Sequence, residues 1–253
     1  MLTANQIKQF ASLKQKKYRL EHSRYLIEGF HLIEECLKSQ HELEYIILRE
    51  GADLQGHAEI LKMISQNKTI VEPLPVKQFN KLIETESSQG IVGVVKRPAY
   101  GSANPGGKII IALDKVSDPG NLGTIIRTAY WFGVKDIILS EDCADPYNPK
   151  VIRSTQGGVF HVNLFEDTEL AAEFKKLKQD NYKIYLFALE SEKFLEQIPG
   201  NNKSVLVFGS ESRGISNELL NAGFETVKIK GNSDCESLNV AISAGIALYH
   251  FTK

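Results

Sequence analysis

The stretch Lys108-Ile109-Ile110-Ile111-Ala112-Leu113-Asp114 decides the fold of this chain. Its unbroken apolar run, rich in β-branched side chains, fits a strand covered on both faces, as in a parallel sheet; a strand with one wet face would alternate polar and apolar residues. Similar runs recur as DIILS at 136–140, KIYLFAL at 183–189 and SVLVFGS at 204–210. Between them, LGTIIRTAYWF at 122–132 and ELAAEFKKLKQ at 169–179 carry apolar residues at helical spacing. The β-α-β unit therefore repeats, and a parallel sheet is the expected architecture. Open parallel sheets bind ligands beyond the carboxyl ends of their strands, so chemistry is expected in the loops that follow these runs.

Working outward toward the amino terminus, YLIEG at 25–29, FHLIEECLKS at 30–39, LEYIILRE at 43–50, AEILKMISQ at 58–66, TIVEPL at 69–74 and GIVGVVKR at 90–97 alternate strand-like and helix-like patterns. They predict a smaller α/β domain. The next stretch, 98–107, is rich in Pro, Gly and Ser without apolar periodicity and reads as a linker. The expected division is a first domain over 1–97, a linker over 98–107 and a second domain over 108–253.

Hydrophobic residues make up 42% and charged residues 24% of the 253, which excludes disordered and collagen-like classes. No apolar run approaches the roughly 20 residues that span a bilayer. The N-terminal residues have neither an apolar core nor a small-residue cleavage site, so a cytoplasmic protein is expected. Cys36, Cys143 and Cys235 form no C-x-x-C pair and are read as reduced thiols, with no metal site. The net charge of −1 offers nucleic acid no global attraction. Lys8, Lys14, Lys16, Lys17 and Arg19 nevertheless cluster in the first nineteen residues with no acidic neighbour. A solvated helix face explains such a cluster; RNA contact is the functional alternative.

Three loops carry polar residues that packing does not demand. In the first, Asp114 to Gly123, Asp118 suits an N-cap and Pro119 the first helical position. The helix beyond places Leu122, Ile125, Ile126, Ala129 and Phe132 on an apolar stripe and Gly123, Arg127 and Tyr130 on another face. In the second, Gly209-Ser210-Glu211-Ser212-Arg213-Gly214-Ile215-Ser216, two glycines flank a carboxylate at a strand end. A ligand cradle and a plain tight turn with Ser216 as helix cap both fit. In the third, Lys230 to Asn239, Ser237 suits an N-cap and Asn239 has no evident packing role. The helix VAISAGIALYHF that follows is apolar nearly all round and dense in small residues, which permits close approach of another helix.

In order, Asn121-x-Gly-x-x-x-Arg127-Thr128-Ala129, Gly209-x-Glu211-x-x-Gly214-Ile215 and Ser237-Leu238-Asn239-Val240 resemble the SpoU, or TrmH-type, family of RNA ribose 2′-O-methyltransferases of the SPOUT superfamily. Tyr25-Leu26-Ile27-Glu28-Gly29 and Gln89-Gly90-Ile91-Val92-Gly93-Val94 resemble that family's accessory substrate-binding domain, a ribosomal-protein-like α/β fold. The resemblance implies a parallel-sheet SPOUT domain with a deep trefoil knot, which pattern alone would never suggest. It also implies a homodimer packed through the knotted region and S-adenosylmethionine as cofactor. By that pattern, Gly209, Ser210, Glu211, Ile229 and Leu238 hold the cofactor, largely through main-chain groups. Arg127 sits beside the target ribose or its phosphate, and Asn121, Glu211, Ser237 and Asn239 complete the polar pocket. Lys14, Lys16, Lys17 and Arg19, with Arg127, are the expected RNA contacts. Ile229-Lys230-Gly231 departs from the family's usual Ile-Pro-Met, which implies an altered cofactor loop.

The implied reaction moves a methyl group to a ribose 2′-hydroxyl, with ribosomal RNA favoured over transfer RNA by analogy of the accessory domain. The rival is a non-catalytic RNA-binding or ribosome-assembly protein that retains the fold. A dinucleotide-binding oxidoreductase would need a G-x-G-x-x-G turn after a strand, which is absent.

Overall fold

The computed structural model describes residues 2–98, 105–200, 202–231 and 236–253. They form two compact units, Met1–Ala99 with Asp145–Phe160, and Tyr100–Ala144 with His161–Lys253. No described helix is long and apolar enough to cross a membrane.

The first unit contains α1 (Ala4–Ser12), α2 (Lys16–His22), β1 (Arg24–Glu28), α3 (Phe30–Leu37), β2 (Leu43–Arg49), α4 (Ala58–Gln66), β3 (Ile70–Leu74), α5 (Val76–Phe79) and β4 (Ile91–Lys96). Its sheet has the order β1-β4-β2-β3; β4 runs antiparallel to both neighbours, and β3 parallel to β2. Ile91, Val92, Val94 and Val95 are fully buried because β4 is central and both of its faces are covered. Thr3 opens α1 through a capping box with Gln6, and Ile7 and Phe10 on that helix pack into a core with Leu26, Ile47 and Val94. Burial pushes the Cys36 thiol up to about 12, which leaves it protonated and inert at neutral pH.

The second unit contains β5 (Ile109–Asp114), α6 (Pro119–Trp131) and β6 (Asp136–Leu139). After the 145–160 segment, which carries α7 (Pro149–Thr155) and belongs to the first unit, follow β7 (Asn163–Phe165), α8 (Leu170–Gln179), β8 (Lys183–Phe187), β9 (Ser204–Gly209), α9 (Asn217–Leu220), β10 (Glu225–Val227) and α10 (Val240–Phe251). The sheet order is β10-β8-β9-β5-β6-β7, and every pairing is parallel. The deciding run is thus a fully buried strand near the sheet centre, as its composition demanded. Asp118 caps α6 by accepting from the Asn121 amide at 2.8 Å, with Pro119 at the first helical position.

Several sequence expectations need correction. Gly123 is buried, not on the outer face with Arg127 and Tyr130. Ser216 stands at the N-cap of α9 without a side-chain bond to it, and α9 is a single turn. Ser237 does not cap α10; Asn239 does, accepting from the Ala241 amide at 2.9 Å.

The contiguous division into two domains also meets a departure, since residues 145–160 pack with the first unit. Tyr147 lies against Tyr25 with ring centroids 4.7 Å apart, and Asp145 pairs with Arg19. Arg19 therefore leaves the RNA cluster. Its side chain is 2% exposed, its Nε donates to Asp145 Oδ2 at 2.8 Å, and its Nη1 donates to the carbonyls of Leu13 and Lys14 at 2.8 and 2.7 Å. A buried guanidinium with four of its five N–H groups engaged in this way holds the unit together and is withdrawn from an incoming phosphate. Lys14 is half withdrawn as well, donating to the Ile83 carbonyl at 2.6 Å. Lys16 and Lys17 remain exposed. Of the linker, 99–104 lie outside the described residues, as does Cys235.

Candidate active site

The carboxyl ends of β5 and β9 lie side by side, with Asp114 paired to Gly209. Asp114 is buried at the end of its strand, and its carboxylate accepts from the Ser216 amide at 2.7 Å, which returns the second loop to the sheet. Within that loop Ser210 and Gly214 exchange hydrogen bonds of 3.0 and 2.9 Å, and the Arg213 amide donates to Ser210 Oγ at 3.2 Å. A Cβ on Gly209 would stand 2.1 Å from the Gly214 carbonyl carbon, so only glycine permits this closure. Gly214 itself takes φ +66°, the left-handed region open to glycine. The glycines thus have a steric reason for being there.

The three loops meet in a chain of side-chain hydrogen bonds. Asn239 Nδ2 donates to Asn121 Oδ1 at 2.9 Å, and Asn121 Nδ2 donates to Glu211 Oε1 at 2.8 Å. The polarity of this relay follows from its first member. Because Asn239 Oδ1 is committed to the first amides of α10, its NH₂ must face Asn121; Asn121 must then answer with its oxygen and send its own NH₂ to an acceptor. A carboxylate is the strongest acceptor available for that place. Glu211 is left with most of its acceptor capacity, and one N–H each remains on Asn121 and Asn239 among the described residues.

Arg127 projects from α6 about two turns beyond Asn121, exposed and without an ion pair among the described residues. Ser237 and Leu238 are exposed just before α10, and Ile229 is half-buried after β10. The structure therefore joins Asn121, Glu211 and Asn239 by direct bonds, and places Gly209, Ser210, Ile229, Ser237 and Leu238 on loops at or beyond strand ends. Sequence reasoning did not single out Leu189, a candidate that the structure adds: it is 59% exposed just past the end of β8, the strand between β9 and β10. Its signal was available: an apolar residue closing a strand run and followed by Glu190-Ser191-Glu192. No cluster of three or more His, Cys, Asp or Glu suited to a metal occurs among the described residues.

Comparison with known proteins identifies the family. The SpoU rRNA Methylase family matches residues 108–249, and the MRM3-like substrate binding domain matches residues 4–93. The 23S rRNA (guanosine(2553)-2′-O)-methyltransferase RlmP of Bacillus subtilis is 32% identical over 96% of this chain and 94% of its own length. An AdoMet-bound rRNA methyltransferase from Sinorhizobium meliloti superposes with a TM-score of 0.84 at 26% identity, covering 99% of this chain and 95% of its own. At 21% identity, the SpoU methyltransferase AviRb from Streptomyces viridochromogenes shares the fold with a TM-score of 0.89, covering 99% and 97%. The family match over more than half of the chain and the 32% identity to a relative covered almost end to end show that the chain belongs to the SpoU rRNA methylase family.

Proposed function

We propose that this protein transfers a methyl group from S-adenosylmethionine to a ribose 2′-hydroxyl of ribosomal RNA. The observation that carries the reading is the Asn239–Asn121–Glu211 relay, which binds the three family motifs into one polar site at the carboxyl edge of a parallel sheet. The relative described as acting on guanosine 2553 of 23S rRNA, similar over nearly the whole chain, favours ribosomal over transfer RNA.

The residues at the strand ends suit this cofactor. Leu189 and Leu238 are exposed apolar side chains on loops beside the sheet edge, fit to cover an adenine ring. Gly209, Ser210 and Ile229 would offer main-chain groups to its polar parts, and the Glu211 carboxylate keeps capacity for a cationic or hydroxyl group. When bound, S-adenosylmethionine supplies a methyl group already activated on a sulfonium centre.

The protein's own task is alignment and proton removal. Arg127 grips an RNA phosphate next to the target, and Ser237 with the spare N–H of Asn239 orients the hydroxyl. As the new O–CH₃ bond forms, the hydroxyl proton becomes strongly acidic, so the phosphate held by Arg127 is a sufficient acceptor. The three loops contain no histidine to act as base. Lys16 and Lys17 supply salt-dependent RNA affinity.

Three further properties belong to this reading: a cytoplasmic location, a trefoil knot formed around the cofactor loops, and a homodimer. Ile242, Ile246 and Tyr249 lie exposed on one face of α10, which explains why that helix is apolar all round: one face enters the core and the other awaits a second copy. The test is transfer of labelled methyl from S-adenosylmethionine to unmethylated ribosomal RNA, followed by nuclease digestion. Label on a ribose 2′-oxygen is the expected result; cofactor binding without transfer to RNA or to ribosomal particles would favour a non-catalytic binding protein.

A further inference from the structure

Five non-glycine residues with positive φ occur among the described residues: Ser23, Lys115, Gln156, Asp167 and Asn181. Four have ordinary explanations. Ser23 and Gln156 are left-handed C-caps that close α2 and α7. Asp167 and Asn181 are of the types that tolerate this region through local side-chain bonding. Lys115, at φ +59°, has neither explanation.

Its backbone is fixed from both sides. Asp114 before it is bound into the sheet against Gly209, and the Val116 carbonyl after it accepts from the Ala144 amide at 2.9 Å. Its own amide donates to Ser140 Oγ at 2.8 Å, so the strained conformation cannot relax. Glycine would occupy the position without strain. The lysine side chain offers no burial in return: it is 55% exposed, and its only ion pair among the described residues is with Asp142, itself 70% exposed, at 3.5 Å. A pair so wet adds little.

We propose that Lys115 is a substrate-binding residue whose ammonium takes an RNA backbone phosphate beside the target nucleotide, replacing Asp142 as its partner. The inference rests on the methyltransferase reading above. Lys115 leaves the carboxyl end of β5 in the same loop that delivers Asp118 and Asn121, beside the site where the reading above puts the target nucleotide. Strain retained at a ligand edge without a packing return fits a side chain kept for what it binds.

The experiment compares full-length wild type with Lys115→Gly and Lys115→Arg, using in-vitro-transcribed 23S rRNA as probe. Lys115→Gly should melt no lower than wild type, yet bind RNA about fivefold more weakly near physiological salt, with the slope of log K against log salt reduced by about 0.7 to 0.9. Lys115→Arg should restore both, and affinity for S-adenosylmethionine should be unchanged in either variant. Equal RNA affinity and slope in Lys115→Gly, a lower melting point, or a loss confined to the cofactor would overturn the assignment. A wild type that binds the RNA but transfers no methyl breaks the functional reading, while the slope comparison still decides Lys115. A wild type that binds no RNA overturns both.

Discussion

The two edges of the second unit's sheet each hold a carboxylate that bridges segments, and the two are built on opposite plans. At the amino edge, Asp136 is 5% exposed and fully engaged, accepting from the amides of Gly106 and Gly107 at 2.9 and 2.7 Å and from Asn163 Nδ2 at 2.7 Å. At the carboxyl edge, Glu211 is exposed and, among the described residues, accepts one bond, from Asn121. A buried carboxylate without partners would be very costly, and the three bonds to Asp136 fit a structural role. An exposed carboxylate has no such obligation, so its capacity remains for a ligand. On the methyltransferase reading, Asp136 is structure at one end of the strands and Glu211 is chemistry at the other.

That contrast is breakable in a fixed order of effect. The largest change is expected for Arg127→Ala at the carboxyl edge: single-turnover methyl transfer should fall by at least about 10³-fold, or roughly 4 kcal/mol of transition-state stabilisation. Calorimetric binding of S-adenosylmethionine and the melting temperature should stay close to wild type, and equal loss of binding and transfer would contradict a role on the RNA side. Next, Asp136→Ala should lower unfolding stability by about 2 to 3 kcal/mol, since three donors lose a charged acceptor. Activity per folded molecule should hardly change; a denaturant titration paired with active-site counting separates the two, and intact stability would show that Asp136 is not the clasp described here. The smallest effect is expected for Glu211→Leu, which leaves the Asn121 NH₂ without its acceptor and should reduce kcat/KM about tenfold, near 1.4 kcal/mol. Glu211→Gln keeps an acceptor oxygen and should recover most of that loss. If Gln and Leu behave alike, charge rather than relay polarity is what Glu211 contributes.

Period-based reading found the long elements because burial writes itself into composition. Residues 109–114 are apolar throughout because both faces of β5 are covered, and the stripe of α6 from Leu122 to Ala129 matches its buried side. The short edge strands β7 and β10, three residues each, were not picked out, since a run of that length carries no period. Gly123 was placed on the wrong face because a glycine has no polarity to read; its burial becomes visible only once the helix has its neighbours. Arg19 misled for a related reason. Its local surroundings are purely basic, and its partner Asp145 lies 126 positions away.

The site shows the same division. The motifs were legible one by one, but not that Asn121, Glu211 and Asn239 are bonded to one another, because hydrogen-bond pairing across distant loops leaves no periodic trace. Asn239 was singled out for having no packing role, and the structure supplies one: it caps α10 and starts the relay. Leu189 was read as the end of a strand, because a single sequence does not distinguish an apolar residue facing the core from one exposed at the sheet edge.

The relay also bears on how the protein comes into being. Its two bonds close contacts across 90 and 118 positions of the chain. Contacts of such separation form late, after the local turns and neighbouring strands that bring them within reach. A folding intermediate in which β5, α6 and β6 have already docked would contain Asn121 and Arg127 in place, yet neither Glu211 nor Asn239 opposite them. On the methyltransferase reading, molecules folded only that far lack two of the three relay members and should be silent toward RNA methylation instead of careless with it.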